Sequence, residues 1–422
     1  MLRFLPLLAA PLLAAEPPAP LAGWVHDDQA DPPEPGAVVF IGSSSIRRWE
    51  SLTRDFGDYR IVQRGWGGSW LREMDEAAPF IVFPYKPSAV VMWAGTNDLS
   101  NGQSAEQVHA DFLAFHQLLR QRLPETPFLF LGATRTLANS STTEARETSN
   151  HLIRQELEKD PHGHFVELPA FFNGLSEERL RQIYVDPIHL NRDGYAEWLK
   201  IVRPALEAVL PPNRGEFDAS RSPKAGTAMV FDFGPAGATP AAGELRWNHW
   251  QPAPPDHTLL AGQHVAGLVD TTGQPLALSI TLTGDFRTST EGDPRPDPDL
   301  LGALADPAAT GDSFFSTADN RWEQASDDLA GSFVIEGLDP ALPCTLRFFG
   351  SGGNDESVTE FRVFGAGAKL ASVSTGRGSG GLAVVSGIRP DRFGRVFVDL
   401  TLAAGDRASI NALELRVGRP GE

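Results

Sequence analysis

Ser43, Ser44 and Ser45 follow the short apolar run Val38-Val39-Phe40-Ile41-Gly42 and precede a stretch with helical spacing through Ile46 and Trp49. A hydroxyl on a strand-to-helix turn stands above the sheet, close to helix-terminal N–H groups that can stabilise an oxyanion. Serines at a helix start are more often caps than nucleophiles, so the cluster gains meaning only from its company. Gln63-Arg64-Gly65-Trp66-Gly67-Gly68-Ser69 follows Ile61-Val62, and its paired glycines leave backbone N–H groups open to a ligand. Gly95-Thr96-Asn97-Asp98 follows a third apolar run, where Asn97 offers a side-chain N–H. Asp186-Pro187-Ile188-His189 sets a carboxylate and an imidazole three residues apart. Such a pair can meet around one turn, with the carboxylate on Nδ1–H and Nε2 left to face a serine. A lone histidine is commonly a satisfied surface or core residue, and Asp-Pro commonly opens a turn. Taken together, the four segments spell acyl transfer by an activated hydroxyl.

Elements must bring these segments to one place. Apolar runs at 38–41, 61–62, 89–93, 128–131 and 165–166 read as strands, while 105–123, 143–157 and 193–210 carry helical spacing. Strands alternating with helices of this size build a parallel sheet covered on both faces. Reactive groups in such sheets gather where loops leave the carboxyl ends of the strands. Three of the segments begin at consecutive strand ends, and the fourth lies between the fifth strand and the final helix.

In this order and on these element ends, residues 38–210 resemble the SGNH (GDSL-like) hydrolase superfamily. The likeness is to the group with a "GSSSI…W" first block, an "RGxGG" second block and "DxxHLN" near the end. It implies a flavodoxin-like three-layer α/β/α domain with a parallel sheet and a serine esterase activity without metal or cofactor. It also implies Ser44, Asp186 and His189 as the catalytic triad, and Ser44, Gly68 and Asn97 as the oxyanion hole. Ser43 stands where the family usually has Asp, and Gln63 where the second block often opens with Asn. The three serines therefore compete, and counting two after Gly42 with Trp49 in register points to Ser44. Trp66 and Trp70 flank the glycine pair, and Arg135 follows the fourth strand; these are candidate substrate contacts, although a tryptophan this close to a sheet is more often core.

The remainder of the chain frames that domain. Residues 1–15 run from one Arg through an apolar stretch to small residues, the order of a secretory signal that directs the chain out of the cytoplasm, to the periplasm or beyond. Residues 16–35 are rich in Pro and Asp and read as an extended tether, with the hydrolase domain at 36–210 and a second linker at 211–226. Residues 227–422 offer short alternating runs bounded by Gly, Pro, Asp and Asn, the pattern of an all-β, jelly-roll-like sandwich. Within it, 284–312 reads as a surface loop whose Asp293, Asp297, Asp299 and Asp306 are more plausibly solvated than calcium ligands. Trp247, Trp250 and Trp322 are candidate sugar platforms, with burial in the core as the equal alternative. With 36 Lys+Arg against 54 Asp+Glu, the net charge of -18 excludes nucleic acid as a natural partner. The ester is expected to be an acetylated polysaccharide. A short-chain aryl or lysophospholipid esterase with a spacer domain, and a glycan-binding protein with a vestigial hydrolase, are the competing readings.

Overall fold

The computed structural model describes residues 16–138, 140–234, 245–250, 258–293, 295–317, 329–376 and 381–419. Five parallel strands form the first sheet: β1 (Val38–Gly42), β2 (Ile61–Gly65), β3 (Ala89–Trp93), β4 (Phe128–Leu131) and β5 (Gly163–Val166), in the order β2-β1-β3-β4-β5. Every residue of β1 and β3 is buried, which is why these strands read as unbroken apolar runs. The two-residue alternation divides them between two cores. Val39, Ile41, Val90 and Met92 face one side with Phe112, Phe115 and Leu119 of the helix Ala105–Arg122. Val38, Phe40, Val91 and Trp93 face the other with Trp49, Trp198 and Val202, the last two from the helix Arg192–Glu207. The helix starts are encoded locally: Ser104 and Gln107 close a capping box, and Asn191 accepts from the Gly194 amide at 3.0 Å.

The C-terminal region is a sandwich of two antiparallel-type sheets. One has six strands, led by Val358–Phe364, Arg395–Ala404 and Leu329–Glu336; the other has five, led by Cys344–Gly350, Ala412–Val417 and Ala228–Asp232. Phe348 of one sheet stacks on Phe361 of the other with ring centroids 4.4 Å apart, in the middle of one continuous apolar core. A four-stranded sheet that includes Phe286–Ser289 and Ser313–Thr317 completes it.

Four expectations need correction. Residues 16–35 are no extended tether, because Ala22–Ala30 form a helix whose Trp24 is 1% exposed and donates Nε1–H to the Ala261 carbonyl at 3.0 Å. The prolines flank this helix instead of interrupting it. The 211–226 segment is fastened as well: Asn213 donates to the Gly36 carbonyl at 2.8 Å, and the Arg214 amide donates to the Asp58 carbonyl at 3.0 Å. Within 284–312, Leu301, Leu304 and Ala309 are buried, and Asp293, Asp297 and Asp306 each accept a backbone N–H two residues on at 2.9 Å. Those carboxylates cap turns. Trp250 lies in the sandwich core at 2% exposure against Phe231 and Phe314, so it offers no platform, while Trp247 is half-buried against a separate small cluster with Leu301, Leu304 and Phe349. Trp322 and the 1–15 signal segment fall outside the described residues. Among the described residues, no helix is long and apolar enough to cross a membrane, and no group of three or more His, Cys, Asp or Glu could hold a metal ion.

Candidate active site

Gly42 carries β1 into the serine turn with φ 146°, and a Cβ there would stand 1.9 Å from the Trp93 carbonyl oxygen, so only glycine fits. The turn passes at once into the helix Ser44–Arg47. Ser43 and Ser45 are buried at 2% and 9% exposure; the Ser43 amide donates to the Trp93 carbonyl at 3.0 Å, and the Ser45 carbonyl accepts from the Tyr195 hydroxyl at 2.8 Å. Ser44 is the half-buried member, and its Oγ lies 2.9 Å from His189 Nε2. Gln63, the departure from Asn, donates Nε2–H to the Ile46 carbonyl at 2.7 Å and to the Trp49 carbonyl at 3.2 Å. It braces the serine turn from beneath.

On its other edge, His189 Nδ1 meets Asp186 Oδ2 at 2.6 Å. Asp186 Oδ1 accepts the amides of Ile188 at 2.8 Å and His189 at 2.7 Å, which closes the turn that holds the ring. Burial opposes ionisation of Asp186, but the His189 hydrogen bond and charge and the two amides outweigh it and hold the carboxyl below its ordinary range. Two nearby residues escaped the sequence reading. Arg48 places Nη1 3.4 Å from Asp186 Oδ2, and Ile188, 50% exposed, stands between the two polar members of the pair.

The third wall comes from the loops after β2 and β3. Gly67 and Gly68 are exposed; Gly68 has φ 76°, with open space where a Cβ would stand. Asn97, half-buried at the start of the helix Thr96–Ser100, donates Nδ2–H to the Ser69 carbonyl at 2.9 Å, which leaves its second N–H for a ligand. Asp98 accepts the Leu71 amide at 3.0 Å and latches the two loops together. Burial lifts the Asp98 carboxyl to about 6 in spite of that amide. The candidate substrate contacts part company here. Trp66 is 7% exposed and meets Trp24 edge-on at 6.5 Å, so it is core and not a substrate surface. Trp70 is half-buried with the Arg72 guanidinium 4.4 Å over its ring. Arg135 donates to the Leu175 carbonyl at 3.0 Å.

Residues 36–197 match the GDSL-like lipase/acylhydrolase family. They form a GDSL-like, or SGNH, hydrolase domain. The chain is 28% identical over 207 residues to the human platelet-activating factor acetylhydrolase IB subunit alpha1, covering 46% of this chain and 84% of that one. It is 25% identical over 183 residues to the rat subunit alpha2, covering 41% of this chain and 76% of that one. A GDSL-like lipase structure from Bacteroides thetaiotaomicron aligns with TM-score 0.33 and 18% identity over 41% of this chain and 88% of that one. The β-sandwich lies beyond the residues that the family model matches.

Proposed function

We propose that this SGNH hydrolase is an exported serine esterase that removes acetyl groups from polysaccharide, with Ser44 as nucleophile, His189 as general base and acid, and Asp186 as the carboxylate that orients His189. The observation that carries the reading is the unbroken line of two hydrogen bonds, 2.9 Å from Ser44 Oγ to His189 Nε2 and 2.6 Å from His189 Nδ1 to Asp186. His189 takes the hydroxyl proton as Ser44 Oγ bonds to the ester carbonyl carbon. The oxyanion meets the amides of Ser44 and Gly68 and the free N–H of Asn97. The bond to the alcohol oxygen then breaks, His189 hands that oxygen its proton, and an acyl-serine remains. Water repeats the sequence on the acyl-serine and releases the carboxylic acid.

The acetyl group is supported by the name of the human relative, an acetylhydrolase. Export rests on the order of residues in 1–15, and a polymeric substrate rests on the sandwich that accompanies the esterase domain. Burial of Trp250 withdraws one of the three ring platforms behind a glycan-binding sandwich, so the substrate panel decides the matter. Acetate release is expected from acetylated xylan, pectin or chitin oligomers at higher kcat/KM than from lysophospholipids or aryl esters of longer acyl chains. A preference for lysophospholipid would replace the polysaccharide by a lipid ester, and no turnover of any ester would leave only a binding protein.

A further inference from the structure

Among the described residues, Asp285 carries the β-sandwich to the edge of the site. Asp285 lies between the strands Ser279–Leu282 and Phe286–Ser289, and its Oδ1 accepts the Ala261 amide at 3.0 Å. Its Oδ2 stands 3.0 Å from Nε of Arg47, off the line of a hydrogen bond, so the contact is ionic. Arg47 closes the short helix that Ser44 opens. Its guanidinium lies against one side of the turn at Gly67: a Cβ there would stand 2.9 Å from Nη1 and 3.3 Å from Cζ of Arg47. The same corner of the sandwich is pinned independently, since Arg64 donates to the Gly262 carbonyl at 2.9 Å and Trp24 donates to the Ala261 carbonyl at 3.0 Å. A rigid anchor, a planar cation and the turn bearing an oxyanion donor therefore stand in line.

We infer that the sandwich is a working part of the esterase site, in which Asp285, acting through Arg47, holds the Gly67-Gly68 turn where the Gly68 amide can reach the oxyanion. The inference rests on the assignment of Gly68 as an oxyanion donor. Asp285 and Arg47 touch no reacting atom; they are positioning residues. Displacing a donor by a fraction of an ångström weakens binding of the developing charge more than binding of the neutral ester, so the effect belongs in kcat.

The test uses the full chain on p-nitrophenyl acetate, with Asp285→Asn, Arg47→Gln, the double variant and Ser44→Ala. Each single variant is expected to lower kcat about 5-fold or more at a KM within about twofold of wild type and an unshifted Tm, and the double variant to be no slower than the slower single. A wild-type kcat in Asp285→Asn would overturn the inference. So would effects that multiply in the double variant, a loss carried by KM alone, or a kcat loss accompanied by a matching fall in Tm. If Asp285→Asn does not fold, Arg47→Lys replaces it: the charge opposite Asp285 survives but the plane over Gly67 is lost, and an unchanged kcat again overturns the inference. Turnover surviving in Ser44→Ala would remove the underlying assignment instead, whatever Asp285→Asn does.

Discussion

At the scale of single residues, the site separates groups that a motif leaves equivalent. Three neighbouring serines become one candidate because two are buried and held by backbone and tyrosine contacts, while Ser44 alone meets His189. Sequence order was enough to bring Asp186 to His189, because a three-residue turn needs no tertiary information. It could not reveal Arg48 beside Asp186, or the burial of Trp66, since both depend on which face of an element meets its neighbour. Asn97→Ala should lower turnover about 100- to 1,000-fold by loss of one oxyanion donor, read as kcat on p-nitrophenyl acetate with Tm as the control. Asp186→Asn should lower kcat by about 10⁴-fold, because the amide no longer holds His189 in the needed tautomer. The depressed ionisation of Asp186 also has a sign in stability. Its contribution is whole above the ordinary carboxylate value of 3.8 and is lost as pH falls further, through its folded value. The Tm gap between wild type and Asp186→Asn should therefore be widest near neutrality and shrink below about pH 4.

At the scale of elements, the central strands were legible because burial on both faces leaves uninterrupted apolar runs, and the long helices because apolar residues recur on one face. The helix Ala22–Ala30 was hidden by the prolines around it, and by a partner, Ala261, that lies 237 residues away. Trp24→Ala should cost about 3 kcal/mol in urea unfolding, as for a core tryptophan, where a tether would lose nothing measurable. The β1 turn makes a second demand at this scale. In Gly42→Ala the added carbon meets the Trp93 backbone, which cannot swing aside, and a left-handed φ adds strain. A loss of about 3 kcal/mol or failure to fold is expected, seen by the same unfolding measurement.

At the scale of the molecule, two folded regions expected to be joined only by the 211–226 linker are also tied by charged side chains. Arg54 and Arg192 converge on Asp399 of the sandwich at 3.4 Å and 3.7 Å, and Arg214 reaches Glu336 at 3.2 Å. Asp399 is almost wholly buried, and burial raises its carboxyl while Arg54, Arg192 and, more weakly, Arg362 favour its charge. Arg54→Ala leaves it with the more distant Arg192 and Arg362 and should lower stability by about 1–3 kcal/mol, with the loss appearing in the sandwich transition if the domains melt separately. Such contacts join residues from 122 to 345 positions apart and leave no periodic trace in either partner. The residue pattern shows helical spacing giving way to short strands, but it could not show that the two regions meet.

The most direct measurement of the central claim is covalent trapping. A fluorophosphonate that captures activated serines, followed by peptide mass mapping, should place a single adduct on Ser44 in the wild-type chain, with labelling lost in Ser44→Ala and strongly slowed in His189→Ala. An adduct on Ser43 or Ser45, or labelling of Ser44 at an undiminished rate without the imidazole, would contradict the account.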